Sequence, residues 1–453
     1  MRLQTRIASL LVPTFVALAG LWSTAANAVP SFARQTGMAC AACHTMFPEL
    51  TAFGRQFKLD AYTFQSTPQV SGENGKKETS VQIDALAPLS VMFQASYTDT
   101  KGANLAQQGT RGNLQFPEQF SLFYAGEISP HMGAFLQVTH TDNSGGFGMD
   151  NSELRYANHL TLGSDDLLVG VVANNNPSMS DVWQTTPVWG YPWAGPVSYE
   201  KPISWQLGQS VAGVGAYALF NSTWYAELMM YKSMGSGGAD TPLADNWTMV
   251  SNAAGPAASI AGGAPYARLA YQNNFGQNYV EVGLYGMWTR LYAAGPVGTA
   301  TSTATSGPTD TYKDIAFDVQ YERPIGNDSV VVRATAAREQ IVLGAYRATV
   351  VGAANQPDVQ FRTYKINGSY HFGSDKALTL SYIDTNGDPI SAANYGAGIG
   401  AGTRAATVEG AYYPWENVRL SLQYTAYSKF NQGTPGYAAS DNNSAYLLAW
   451  IVF

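Results

Sequence analysis

Strict alternation of apolar and polar residues is the feature that most constrains how this chain can fold. Beyond residue 80, segment after segment repeats with a period of two and not with the period of a helix. In residues 418–426 one face is apolar and the other is polar: Val418, Leu420, Leu422, Tyr424 and Ala426 oppose Arg419, Ser421, Gln423 and Thr425. Residues 279–290 and 313–321 repeat this pattern. Such strands suit a sheet with lipid on one side and water on the other.

The connections between these predicted strands alternate between short and long. Short ones, such as "FNST", "RPIGND" and "YPWEN", are rich in the Gly, Pro, Asn and Asp that turns require. Long ones, such as residues 174–210 and 234–263, fall between them. Counting from residue 81 gives about 16 strands, an even number with short turns on one side, as in bacterial outer-membrane barrels. We therefore predict an all-β fold, a transmembrane antiparallel β-barrel over residues 81–453.

Composition and the C-terminus agree with this prediction. Charged residues make up 13% of the chain and aromatic residues 12%, a mixture that suits a membrane barrel better than a soluble enzyme. The chain ends in "SAYLLAWIVF", and its terminal Phe453 resembles the signal that outer-membrane assembly machinery recognises. The alternative is a soluble β-sandwich or propeller, but no blade-length repeat is present. We predict the Gram-negative outer membrane as location, lipid as surroundings and, from the net charge of -7, no nucleic-acid partner.

The first 28 residues resemble a cleavable signal peptide. Arg2 and Arg6 precede an apolar run over residues 7–21, and Ala26 and Ala28 form an A-x-A cleavage site. The alternative is a membrane anchor, but the run is shorter than the roughly 20 residues that a spanning helix needs. We expect the mature protein to begin at residue 29, outside the cytoplasm.

The two cysteines of the chain lie in one short motif, Cys40-Ala41-Ala42-Cys43-His44. C-x-x-C-H is the attachment signature of c-type haem, in which the two thiols form thioethers and the histidine ligates iron. We predict one covalent haem c held by Cys40, Cys43 and His44, with His44 as the metal ligand. A disulfide or a thioredoxin-like pair is the alternative in an exported chain.

Residues 29–65 are too few to bury a core of their own, because chains below about 40 residues usually need a cofactor or a partner. Apolar side chains at Phe47, Leu50, Phe53 and Phe57 predict a stripe on a short helix that packs against the haem. Residues 66–80 are a polar linker, long enough for the domain to fold back. We therefore predict a small helical haem domain that plugs the barrel lumen.

Residues 30–64, "PSFARQTGMACAACHTMFPELTAFGRQFKLDAYTF", closely resemble the haem segment of fused monohaem cytochrome–porins from the outer membranes of iron-oxidising bacteria and their relatives. The likeness lies in "FARQTG" (32–37) and in P-x-L-x-x-FGR-x-FK (48–58). Where that family usually has a Gly-Tyr pair, this chain has Asp60-Ala61-Tyr62. The resemblance implies an electron-transfer cytochrome without catalytic side chains. It implies that extracellular Fe(II) is the donor and that a periplasmic c-type cytochrome or copper protein is the acceptor.

The second axial ligand of the haem is left open by the sequence. By strand parity, His159 and His371 face the lumen near the periplasmic rim, whereas His140 faces lipid. Met38 and Met46 adjoin the motif and lie too close in sequence to reach the far side of the iron. The remaining candidates are His131 and the strand methionines, such as Met92, Met229 and Met287.

The sequence leaves three further points with more than one interpretation: a cation site, the course of one long loop, and the function. Acidic residues of lumen parity can attract a hard cation or pair with arginines such as Arg155 and Arg333; they are Glu153, Glu227, Glu281, Asp314 and Asp318. The loop over residues 174–210 is either an inward cap or a rigid surface loop; it carries Trp183, Trp189, Trp193 and Trp205. The function is electron transfer from Fe(II), electron transfer from a different extracellular donor, or solute transport with the haem domain as gate or plug.

Overall fold

The computed structural model describes residues 31–46, 48–63, 88–101, 112–141, 146–186, 202–234, 259–292, 306–349, 354–355, 357–388, 402–430 and 438–453. The predicted signal peptide at 1–28 and the predicted linker at 66–80 lie outside the described residues, as do residues 81–87.

Within these ranges the chain forms a small hairpin followed by a closed antiparallel barrel of sixteen strands. The hairpin consists of β1 (His44–Met46) and β2 (Glu49–Leu50). Each barrel strand pairs with its sequence neighbours, and the last strand pairs with the first. The barrel strands are β3 (Leu89–Thr100), β4 (Asn113–Ser129), β5 (Met132–Thr141), β6 (Phe147–Leu162), β7 (Asp165–Asn174), β8 (Val211–Phe220), β9 (Trp224–Ser233), β10 (Ala264–Phe275), β11 (Asn278–Tyr292), β12 (Thr309–Ile325), β13 (Asp328–Val342), β14 (Val359–Phe372), β15 (Lys376–Gly387), β16 (Thr403–Trp415), β17 (Val418–Lys429) and β18 (Ser444–Val452).

The helices are short. They are α1 (Ser31–Thr36), α2 (Cys40–Cys43), α3 (Ala52–Leu59) and α4 (Gly344–Thr349), with 3-10 turns at Pro177–Ser180, Ile203–Trp205 and Ala439–Asn442. Among the described residues, no helix has the length and apolar character needed to cross a membrane.

The predicted alternation is confirmed along the barrel strands, with polar side chains inside and apolar ones outside. In β17, Gln423 is 1% exposed and Arg419 is fully buried, whereas the neighbouring Leu422 is 59% exposed. This arrangement is the reverse of a soluble protein, and it is stable where lipid covers the outer face. The prediction of about 16 antiparallel strands is therefore confirmed, and the soluble sandwich or propeller is excluded.

Phe453 takes part in closing the barrel. Its backbone N–H donates to the Val91 carbonyl at 2.8 Å and its carbonyl accepts from the Val91 N–H at 2.6 Å. Leu447 is exposed on the outer surface of β18. The C-terminal strand thus removes the free edge that an open sheet would leave unpaired in lipid.

Candidate functional site

The C-x-x-C-H motif forms a single helical turn. Cys40 and Cys43 are the ends of α2, and both are free, half-buried cysteines that are not joined as a disulfide. Burial, with a smaller contribution from Cys40, raises the pKa of the Cys43 thiol to about 11. A thioredoxin-like pair needs a thiolate of lowered pKa, so the surroundings of Cys43 do not favour that alternative.

His44 has the hydrogen bonding that an iron-ligating histidine requires. Its Nδ1 lies 3.2 Å from the Glu49 carbonyl oxygen. Because a carbonyl only accepts, Nδ1 carries the proton and Nε2 keeps the lone pair when the ring is neutral. Burial lowers the pKa of His44 to about 4, against the opposing effect of the Glu49 and Pro48 carbonyls. The ring is therefore neutral near pH 7, as a metal ligand must be.

Helix α3 fixes the position of this turn. The Thr51 N–H donates to the Cys43 carbonyl at 2.9 Å, and the Thr51 hydroxyl donates to the Ala42 carbonyl at 2.7 Å. The same hydroxyl accepts from the Gly54 N–H at 3.1 Å, so Thr51 is the N-cap of α3. A Cβ on Gly54 would lie 2.3 Å from the Cys43 oxygen, so only glycine allows this approach.

The predicted aromatic stripe is not found on one helix. Leu50 belongs to β2, Phe47 lies outside the described residues, and α3 begins only at Ala52 because Thr51 caps it. Phe57 is buried in a small aromatic cluster, at 5.2 Å from Phe32 and 6.0 Å from Tyr62 between ring centroids. Phe57 therefore serves the packing of the segment itself, whereas Leu59 and Ala61 are buried together with residues of the barrel wall.

Two ion pairs join the segment to one side of the barrel. A Glu49 carboxylate oxygen lies 2.5 Å from Nη1 of Arg333 on β13, and both side chains are buried. The Arg55 guanidinium lies 2.6 Å from Glu322 on β12 and stacks over the Tyr279 ring at 4.6 Å. Buried pairs of this kind are costly to break, because an uncompensated charge is left behind.

Further contacts join the segment to strands on the other side. Lys58 Nζ lies 3.3 Å from Glu153 on β6, and the Tyr62 hydroxyl donates to the same carboxylate. Asp60 lies 3.0 Å from Nε2 of His159, also on β6. In the barrel order β6 and β13 are seven strands apart out of sixteen, so residues 31–63 contact nearly opposite walls.

The described part of the long loop turns inward. Trp183 Nε1 donates to the Tyr279 hydroxyl at 2.7 Å, and Trp205 Nε1 donates to the Tyr285 hydroxyl at 3.0 Å. The Thr185 hydroxyl donates to an Asp318 carboxylate at 2.6 Å. Of the two predicted courses for this loop, the inward one is therefore confirmed for residues 174–186 and 202–210. Trp189 and Trp193 lie outside the described residues.

The acidic residues of lumen parity face inward as predicted, and most have partners. Arg268 lies 2.6 Å from Asp318 and 3.2 Å from Glu281, and Arg155 lies 2.9 Å from Glu153. The Ser204 hydroxyl donates to Asp314, and the Tyr225 hydroxyl to Glu227. Across the described residues there is no group of three or more His, Cys, Asp or Glu that could hold a metal ion. Pairing within the wall is thus favoured over a separate cation site.

The histidines and methionines occupy different surroundings. His371 is buried on the lumen face of β14, and His159 is partly exposed between Asp60 and Asp166. His140 packs against Phe147 on the outer face of β5, and His131 bonds the Ala157 carbonyl in a turn. The buried methionines include Met46, Met92, Met229 and Met287. Met229 and Met287 lie on either side of Tyr266 in one cluster, and Met46 and Met92 belong to two others.

Sequence reasoning missed the charged residues that join the segment to the wall. In the sequence Glu49, Arg55 and Lys58 stand out only as parts of the family-like segment, and no motif marks Glu322. The available signal was charge: a segment expected to lie in the lumen carries three ionisable side chains within ten residues. Such groups require partners when buried.

The strand number, the antiparallel order and the apolar exterior define this chain as an outer-membrane β-barrel protein with a porin-like fold. No protein-family model matches the chain, and no curated protein matches it. Solved structures similar to it include the outer-membrane channel DcaP of Acinetobacter baumannii (TM-score 0.46, 12% identity, 81% of this chain and 96% of the other). The anion-selective porin of Comamonas acidovorans gives TM-score 0.44 and 12% identity, over 81% of this chain and 98% of the other. The OmpF–daunomycin complex of Salmonella typhi gives TM-score 0.45 and 12% identity, over 81% of this chain and 97% of the other. These likenesses concern the fold alone.

Proposed function

We propose that this protein is an outer-membrane electron conduit in which residues 31–63 bind one c-type haem inside the barrel. The observation that carries the proposal is the C-x-x-C-H turn itself. Its two free thiols lie on one helical turn beside a neutral histidine, in a segment that is ion-paired to nearly opposite walls.

The residues present fit a covalent haem. Cys40 and Cys43 would form the two thioethers, and His44 would ligate iron through Nε2. The Glu49 carbonyl orients the imidazole, as hydrogen bonds behind ligating histidines generally do. When bound, the haem supplies reversible one-electron chemistry. The contribution of the chain is to hold the group, limit its contact with water and place it between the two membrane surfaces.

The position of the segment suits transfer across a membrane. The Cys40 N–H donates at 3.2 Å to Glu416, in the two-residue turn between β16 and β17. Short turns lie on the periplasmic side of bacterial barrels. A haem at this end is therefore close to periplasmic acceptors, for which we propose a c-type cytochrome or a copper protein. Fe(II) as the extracellular donor rests on the resemblance of residues 30–64.

The test is direct reduction by ferrous iron. Purified protein in proteoliposomes is oxidised, Fe(II) is added outside, and the haem absorption bands are followed. We expect the bands of the reduced haem to appear in the wild type, and we expect His44→Ala to lose the response while the barrel still assembles. The proposal fails if haem-loaded protein stays oxidised at the organism's own pH.

The second candidate is a solute channel in which residues 31–63 act as a gate or plug. The sixteen-stranded closed barrel favours it, because barrels of this size in porins enclose an aqueous channel. The fold taken alone supports this function more directly than electron transfer. A liposome-swelling assay distinguishes the two functions. If small sugars pass freely through the haem-loaded protein and Fe(II) does not reduce its haem, the function is solute transport.

A further inference from the structure

We infer that His371 is the second axial ligand of the iron, opposite His44. The inference deepens the proposed function and rests on the haem that it assigns. It arises from a buried imidazole nitrogen that has no hydrogen-bond partner among the described residues, next to the C-x-x-C-H segment.

His371 lies on the lumen face at the short-turn end of β14, one residue before the strand ends. Its residue exposure is 4%, and its Nε2 is buried without a hydrogen-bond partner among the described residues. An unsatisfied buried polar atom costs about 1–3 kcal/mol. A bound metal or cofactor is one way in which such an atom is satisfied.

The surroundings of His371 place it beside the haem motif. Its cross-strand neighbour on β15 is Ala377, and Ala377 packs with Met46. Met46 is only two residues beyond His44. Glu49, whose carbonyl bonds His44, is among the charged groups that act on His371. The motif and His371 are therefore on one patch of the lumen.

The other histidines outside the motif have different surroundings. In His159, Nδ1 is bonded to Asp166 at 2.9 Å and Nε2 to Asp60 at 3.0 Å. His131 Nδ1 bonds the Ala157 carbonyl in a turn, and His140 lies on the outer face.

The methionines are less suitable than His371. Met46 is separated from His44 by only one residue of β1, which is too little chain to reach the opposite side of the iron. Met92 packs in a different cluster, against Tyr446 and Trp450.

The experiment uses full-length, haem-loaded protein labelled with 15N-histidine. In the ferric wild type we expect low-spin iron coupled to two imidazole nitrogens in pulsed electron paramagnetic resonance. His371→Ala retains its haem through the thioethers, becomes high-spin, and returns to low-spin when imidazole is added. His371→Met stays low-spin but couples to one imidazole, and its midpoint potential rises, because methionine ligation raises it.

His140→Ala is the control, because His140 packs against Phe147 on the outer face of β5, away from the haem segment, and we expect its loss to leave spin state and couplings unchanged. A single imidazole coupling in the wild type overturns the assignment, as does a low-spin His371→Ala without added imidazole. If His371→Ala fails to fold, the couplings of the wild type and of His371→Met decide. Absence of haem from the wild type refutes the proposed function instead.

Discussion

Gly54 is the residue on which the geometry of the C-x-x-C-H turn most depends. The Cys43 carbonyl, which accepts from Thr51, occupies the space where a side chain at Gly54 would begin. The obstacle is backbone, which cannot rotate away as a side chain can. A glycine inside a helix costs stability, so its presence in α3 indicates that the close approach outweighs helix propensity.

We expect Gly54→Ala to displace α3 from α2 and to destabilise the docked segment by roughly 1–3 kcal/mol, the usual cost of overpacking. Haem attachment, followed by haem staining, should fall while the barrel keeps its heat-modifiable mobility in gels. Gly410→Ala is the control, because a Cβ there meets nothing within 4 Å. Equal haem staining in both variants would contradict the role given to Gly54.

At the scale of elements, α3 contacts the barrel wall through charged side chains as well as through the buried Leu59. Lys58 and Asp60, at and just beyond its C-terminus, contact β6, and Arg55 contacts β12. Burial raises the pKa of Asp60 above its ordinary value, although hydrogen bonds from Gln56 and His159 oppose the shift. The ionised form of Asp60 therefore costs docking energy.

This shift gives docking of α3 a pH dependence. Because the docked state binds the proton of Asp60 more tightly than the free state, docking weakens as pH rises from 3.8 through the raised pKa. Hydrogen exchange, corrected for intrinsic rates, measures the protection of the α3 amides. We expect this protection to fall across the same pH range in the wild type, and to fall less in Asp60→Asn, which has no carboxyl group to ionise. Asp375→Asn, an exposed turn residue, should track the wild type. If protection of the α3 amides changes with pH equally in the wild type and in Asp60→Asn, then a group other than Asp60 causes the pH dependence.

Elements were predictable from sequence where one physical rule decides them. Alternation fixes which face of β17 meets lipid, and the turn residues fix the strand number, since both follow from neighbours in the chain. The start of α3 was missed because it depends on the Thr51 cap and on the distant Cys43 carbonyl. The pairing of Glu49 with Arg333 spans 284 residues, and no local pattern encodes it.

At the scale of the whole molecule, two separate segments contact the inner wall of the barrel. Residues 31–63 bond both walls near the short turns, and the inward loop adds Trp183 and Trp205 against other wall residues. Several polar residues of the lining, among them Arg333, Glu322 and Asp318, are paired with these segments. Wall residues such as Arg333 and Glu322 therefore serve as partners of the N-terminal segment.

Deletion of residues 31–63 should convert this arrangement into a more open pore. Arg333 and Glu322 lose their partners, but water entering the lumen solvates them, so the penalty of about 3–5 kcal/mol for a stranded buried charge is not incurred in full. We expect the deleted barrel to assemble and to give larger single-channel conductance in planar bilayers than the full chain. Glu49→Gln, which weakens only one pair, should give brief openings to intermediate levels. Conductance that is equal with and without residues 31–63 would mean that the segment does not obstruct the lumen, and the inward loop alone would then set the width of the pore.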